Sequence, residues 1–158
     1  MSTTLRALAA TALLALLGCG SAEGTEALVL VLGQGETAYA ELDDGTELPL
    51  VAGPQGGHHV WIALRAEGLS GPAVELLVDA LPVGDPEPPR RLPVRTTFRQ
   101  QPEGGWERVG WPAEIADAPC TIGRDVVLRV TLRNGGREAV DERLIVPADG
   151  PGVGSCAR

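Results

Sequence analysis

The chain contains no lysine. Its thirteen basic residues are all arginine and face twenty-one aspartates and glutamates, for a net charge of −8. Counterion release favours nucleic acid for basic chains, not acidic ones, so no nucleic-acid partner is expected. Aromatic residues are scarce at three Trp, one Tyr and one Phe, so the core has to be built from Val, Leu and Ala. There are only two histidines, adjacent at His58 and His59. A Ser-His-Asp or Cys-His relay needs a base within hydrogen-bond reach of a nucleophile, and no nucleophile-elbow motif accompanies this pair. A carboxylate pair for glycoside chemistry leaves no trace in sequence. Acidic residues on strands are ordinarily a solvated face, and we expect no enzyme, with a carboxylate-pair hydrolase as the weakest alternative. Cys-x-x-Cys spacing is absent. No segment is clearly helical, and no apolar run reaches the roughly 20 residues of a comfortable membrane span.

What is present begins with a leader pattern. Arg6 supplies a positive n-region, and residues 8–17 form an apolar stretch of signal-peptide length. Leu16, Leu17, Gly18 and Cys19 then resemble the lipobox of bacterial lipoproteins: an aliphatic residue, a small residue, then cysteine. The resemblance implies cleavage after Gly18, a diacylglyceryl thioether on Cys19, and an acylated amino group, with chains of the palmitate kind. Gly20 stands where an Asp often retains such proteins at the inner membrane, which points to the outer membrane. Several acyl chains anchor firmly, since each buried methylene contributes roughly 0.8 kcal/mol. The expected organisation is a signal peptide over 1–18, a lipidated tether over 19–26 and a β-sandwich domain over 27–158. Partners would be the membrane, through Cys19, and an envelope protein or glycan; no cofactor is implied.

With Cys19 lipidated, Cys120 and Cys156 remain. The envelope permits disulfides, and two cysteines in such a chain most simply pair. The bridge would close about 37 residues, worth near 4 kcal/mol in the chain-entropy account.

Strand signals recur along the mature part. Residues 27–32 are a continuous apolar run ended by Gly33 and Gly35. Residues 39–42 and 46–51 flank Asp43, Asp44 and Gly45, which reads as a hairpin turn and not as a calcium loop. Residues 73–81 alternate Val74, Leu76, Val78 and Ala80 against Glu75, Leu77 and Asp79. The proline-rich 85–89 stretch reads as a rigid connector where the chain crosses between sheets. Residues 92–99 place Leu92, Val94, Thr96 and Phe98 on one side. A short strand over 106–111 and a loop over 112–120 follow. Residues 125–133 put Val126, Leu128, Val130 and Leu132 inward. Asn134, Gly135 and Gly136 turn the chain, and 138–146 returns with Val140, Leu144 and Val146 in phase until Pro147 stops it. Residues 150–154 read as a flexible tail. Seven to nine short strands punctuated by Gly and Pro predict an all-β fold, a single antiparallel β-sandwich of immunoglobulin-like size.

The organising stretch is 53–69. Gly53, Pro54, Gly56 and Gly57 turn into a run that alternates Val60, Ile62 and Leu64 with His59, Trp61 and Arg65, as expected of a central strand. His58 and His59 are the candidate metal ligands of the alternative reading, a periplasmic copper- or zinc-binding protein. In a strand they point to opposite faces, which argues against a shared ion. Trp106 and Trp111 would form a partner-binding patch if exposed, but burial against the sandwich is favoured. Gln55, Gly56, Gly57, His58 and His59 resemble a turn of uncharacterised myxobacterial-type lipoproteins. That likeness implies a lipid-anchored β-domain and transfers no activity.

Overall fold

The computed structural model describes residues 26–54, 56–86 and 91–156. The leader, Cys19, nearly all of the tether and Gln55 lie outside the described residues. In chain order the strands are β1 (Val29–Gln34), β2 (Ala40–Glu41), β3 (Thr46–Pro49), β4 (Val51–Ala52), β5 (His58–Glu67) and β6 (Ala73–Pro82). Then come β7 (Val94–Thr97), β8 (Arg99–Gln100), β9 (Trp106–Ile115), a single helical turn α1 (Ala118–Thr121), β10 (Val126–Asn134) and β11 (Arg137–Ala148). The surplus over the expected seven to nine comes from β2, β4 and β8, each two residues long.

Two sheets pack face to face. One runs β2-β1-β5-β9-β8, with β4 beside β5; the other runs β3-β11-β10-β6-β7. The stretch 58–67 is thus a central strand, held by β1 on one side and β9 on the other. Val60, Ile62 and Leu64 point into the core as their alternation requires, and they meet Leu76, Leu128, Val130 and Leu132 of the second sheet. Complete burial of side chains of this size contributes roughly 1.5–3 kcal/mol each. Pairing is antiparallel except between β3 and β11, which run parallel.

Two strands close the sides of the sandwich by changing sheets. The chain leaves β3 in the second sheet, passes through Leu50, and enters β4 in the first. It leaves β7 in the second sheet, passes through Phe98, and enters β8 in the first. Both pivots are buried, at 0% and 3% exposure. A strand that turns a corner between sheets needs an apolar residue at the corner, because the inner faces of both sheets meet on it there.

Several expectations fail, each for a local reason. Asp43, Asp44 and Gly45 do not close a hairpin: β2 pairs with β1 and β3 with β11, so the turn carries the chain between sheets. It is fixed by β11 instead. Gly45 N donates to the Leu144 carbonyl at 2.8 Å, and Leu144 N donates to Asp44 Oδ1 at 2.8 Å. Residues 87–89 of the expected connector lie outside the described residues, but β6 and β7 are neighbours in one sheet, so the crossing is not between them; it is at Phe98. Leu92 and Val94 are 86% and 50% exposed, because β7 is an edge strand reaching past the core. The strand begun at Trp106 continues through Pro112, where β9 is itself an edge beyond β8 and tolerates the missing donor. Pro147 does not stop β11 either. Pairing with β10 ends at Ile145, and Pro147 stays in register with Leu48 of β3.

The phase of β11 is the reverse of the expected one. Ala139, Asp141, Arg143 and Ile145 lie opposite Leu132, Val130, Leu128 and Val126, so they share the inner face. Val140, Leu144 and Val146 face outward, with Val140 50% exposed. Asp141 takes an inner position because it has an edge to close. Its Oδ2 accepts from Leu32 N of β1 at 2.7 Å, and its Oδ1 accepts from Arg143 Nη1 at 2.6 Å. The carboxylate stitches one sheet to the other where the first would otherwise present an unpaired N–H.

Candidate functional site

Strand directions sort the loops onto two ends. The described chain starts at Glu26, beside the turns at 68–72, 101–105 and 134–137. The opposite end collects 53–57, 83–86, 116–125 and 149–156.

The Glu26 end is locked. Asn134 is buried at the close of β10 and serves as its clasp. Its Oδ1 accepts from Ser70 N at 2.7 Å and from Ser70 Oγ at 2.8 Å. Its Nδ2 donates to the carbonyls of Gly71 and Ala73 at 3.2 and 2.8 Å. Gly135 and Gly136, at φ 57° and 76°, supply the left-handed pair that a two-residue hairpin turn requires. Arg137 donates to the carbonyls of Glu26 and Gly68. A cavity of about 520 Å³ lies here, but its arginines are all engaged: Arg95 with Glu75, Arg133 with Glu138, and Arg137 as above.

The opposite end is tied by a covalent bond. Cys120, in α1, and Cys156 form a disulfide with Cα atoms 4.8 Å apart. The tail it holds is laid against the β3–β4 corner. Leu50 N donates to the Ala148 carbonyl at 3.0 Å, and a Cβ on Gly150 would stand 1.9 Å from the Leu50 carbonyl oxygen. The expected flexible tail is therefore a seated segment in which Gly150 admits the close approach. Asp85 and Arg124 join two of the neighbouring loops at 2.7 Å, and Arg124 holds the exposed Asp85 carboxyl below the usual range through that hydrogen bond. Asp117, just ahead of α1, has φ 47°, the one non-glycine with positive φ among the described residues.

The histidines open β5 at this end. Gly53 N donates to the Gly57 carbonyl at 2.7 Å and closes the turn before them. His58 lies opposite the buried Ile115, and His59 opposite Glu114, so the two imidazoles leave opposite faces of the sheet. Among the described residues, no group of three His, Cys, Asp or Glu side chains is placed to hold a metal ion. His59 stacks edge-on against Trp61, with ring centroids 4.4 Å apart. Its Nε2 is buried without a protein partner. Burial lowers the pKa of His59; Glu36 opposes that shift and His58 adds to it. Trp106 and Trp111 pack against the core and form no exposed patch.

The outer face of the first sheet carries a feature that alternation did not announce. Gly33 and Ala63 are opposite each other, and a Cβ on Gly33 would lie 2.3 Å from the Tyr39 ring. The 35–39 segment rests on this shallow patch, with Gly110 N donating to the Gly35 carbonyl at 3.1 Å and Arg65 over the Tyr39 ring at 4.0 Å. Beneath it the β5–β9 register shifts between Ile62 and Leu64, leaving Val109 and Gly110 as a bulge. Bulges of this kind recur where a sheet is re-aimed toward a site. Next to this one, between the Phe98 corner and β9, opens a cavity of about 340 Å³ lined by Thr37, Thr97, Phe98, Arg99, Gln101, Glu107, Arg108 and Val109. The signal in the sequence was the 101–105 turn, which brings 97–100 alongside 106–109. No protein-family model matches the chain, and no curated protein matches it.

Proposed function

We propose that this chain is a lipid-anchored protein of the bacterial envelope that works through contacts and not through catalysis. Cys19 carries the acyl chains, the outer membrane holds them, and the loops farthest from the tether meet an envelope protein or glycan. The observation that supports this reading is the polarity of the fold. The chain arrives at Glu26 at one end, and the loops tied by Cys120 and Cys156 lie at the other. A rigid scaffold that presents loops away from its attachment point suits recognition.

The experiment is metabolic labelling with an alkyne analogue of palmitate in a bacterial host, beside a Cys19→Ala variant. The wild-type chain is expected to take the label and sediment with outer membranes, and the variant to do neither. An unlabelled wild-type chain that keeps residues 1–18 would overturn the proposal. Photo-crosslinkers placed at Gly56 and at Gly135 then test the polarity, with adducts expected from Gly56 alone.

A further inference from the structure

Seven arginines sit in ion pairs with carboxylates, and Arg137 donates to two carbonyls. Among the described arginines this leaves Arg99 and Arg108, and both line the 340 Å³ cavity beside the Phe98 corner. In a chain of net charge −8, carboxylates are in surplus. The two arginines without one both line a single cavity, Arg99 from the row of Glu107 and Arg65 and Arg108 from the row of Leu64. Arg108 adds a second sign: its Nε is buried and has no hydrogen-bond partner. A buried donor left unmet is costly, and such a group ordinarily has a partner in the working state of the protein. The Trp111 ring 5.7 Å away holds the guanidinium from one side without satisfying that N–H.

The one carboxylate in the lining is already taken. Glu107 Oε2 accepts from Arg65 Nε at 3.0 Å, and its Oε1 accepts from the Gln101 amide at 3.5 Å. The cavity is therefore bordered by two arginines without a carboxylate partner, with Thr37 and Thr97 also in its lining. Its origin is the sheet change at Phe98: β8 pairs with β9 at only two positions, Arg99 with Glu107 and Gln100 with Trp106, and the gap opens past them. A volume of about 340 Å³ falls at the small end of ligand pockets.

We infer that this cavity binds a small hydroxylated anion, of the acidic-sugar class, whose carboxylate or phosphate oxygens are taken by Arg99 and Arg108. Planar guanidiniums match both oxyanions in a two-pronged fashion, and Thr37, Thr97 and the Gln101 carbonyl serve the hydroxyls. The site lies on the flank of the sandwich and stands independently of the lipid anchor.

The test is NMR of the arginine Nε–H resonances of the full chain in detergent micelles at low ionic strength. Glucuronate, glucose 6-phosphate and glucose are titrated separately, so that the first two arms separate a carboxylate from a phosphate. A saturable one-site shift of Arg99 and Arg108 is expected for at least one acidic sugar, with Kd about 1 mM or tighter. Arg99→Gln, at an exposed position, should weaken it roughly tenfold or more. Arg108→Gln should do the same, and Arg95→Gln, ion-paired on the other sheet, should leave it unchanged. No saturable shift up to about 20 mM would overturn the inference. So would equal binding of glucose, or equal damage from Arg95→Gln.

Discussion

The two sheets solve the same packing problem in different ways. In the second sheet β10 is paired without a register shift to β11 on one side and to β6 on the other. Its outer face is a ladder of rows. Glu138, Arg133, Glu75 and Arg95 form one charged row, and Glu142, Arg129 and Asp79 form another; Val140, Thr131 and Leu77 lie between them. Each arginine in these rows has a carboxylate directly opposite it. The first sheet is irregular: a bulge, a segment laid over its outer face and, among the described residues, two buried side-chain atoms without partners, His59 Nε2 and Arg108 Nε. The pairing rules are kept most closely around β10 and broken most often around β9, and departures of that kind direct the search for a site to the first sheet. The second sheet carries the more regular pairing and the first carries the register shift.

If that division holds, the cores of both sheets must still be equally unforgiving. Val130→Asp in the second sheet and Ile62→Asp in the first should each unfold the chain, at a cost above about 4 kcal/mol, because each buries an unpaired carboxylate at a site with no exposure. Circular dichroism and thermal melts check it. A folded Ile62→Asp variant would mean the first sheet yields at its centre, which would break the comparison. Next in size is the bridge. Cys120→Ser with Cys156→Ser removes the closure of a 36-residue separation and should cost about 4 kcal/mol. Urea unfolding gives the number, and proteolysis of the folded protein should shift to 149–156, where the tail is released.

The sequence displayed what alternation can display. Val60, Ile62 and Leu64, the 73–81 strand and the Asn134 turn all lie where a period of two puts them, because in each the apolar set faces the opposite sheet. Alternation misled at β11. Val140, Leu144 and Val146 are the more apolar set, yet Asp141 and Arg143 take the inner face, because β1 needs an acceptor there. That requirement belongs to a strand 109 residues away, and nothing near Asp141 encodes it. Leu50 and Phe98 read as ordinary strand residues because a corner between sheets is a property of the pairing. The histidines drew attention for their chemistry, and the structure sends them to opposite faces. Arg99 and Arg108 drew none, since any arginine in an acidic chain is expected to find a carboxylate. Only the ion pairs among the described residues, taken together, show that these two did not.

The third effect belongs to the regular sheet. Asn134→Ala strands Ser70 N and the Gly71 and Ala73 carbonyls, and should cost about 2–3 kcal/mol. Asn134→Asp keeps the acceptor for Ser70 and loses the donors, so it should fall between the two in urea midpoint. The fourth belongs to the irregular sheet and is a slope, not an offset. The folded pKa of His59 is held below its ordinary 6.5 by burial. At a pH above 6.5 both states are neutral there and nothing is lost. As pH falls from about 6.5 toward the folded pKa, the unfolded chain takes the proton first, so stability drops. The difference in urea midpoint between wild type and His59→Gln, followed from pH 7.5 to 5, isolates this slope from the carboxylates. A difference that stays flat with pH would show that the buried Nε2 is solvated.

The smallest effect tests the regular sheet where it is most saturated. Arg133 and Glu138 face each other across β10 and β11 at 2.7 Å, each half exposed. Exposed pairs of this kind lose most of their Coulomb energy to water, so a double-mutant cycle should return only about 0.2–1 kcal/mol, shrinking as salt is added. Such pairs do little for the stability of the sheet and still matter to the comparison, because they leave its arginines no vacancy. Removing Glu138 alone leaves Arg133 in its own cavity with Glu75 still opposite it across the strands, and that variant should gain no affinity for an acidic sugar. A cavity alone is not sufficient: Arg133 lines one and still has Glu75 opposite it, whereas the one carboxylate beside Arg99 and Arg108, Glu107, is held by Arg65.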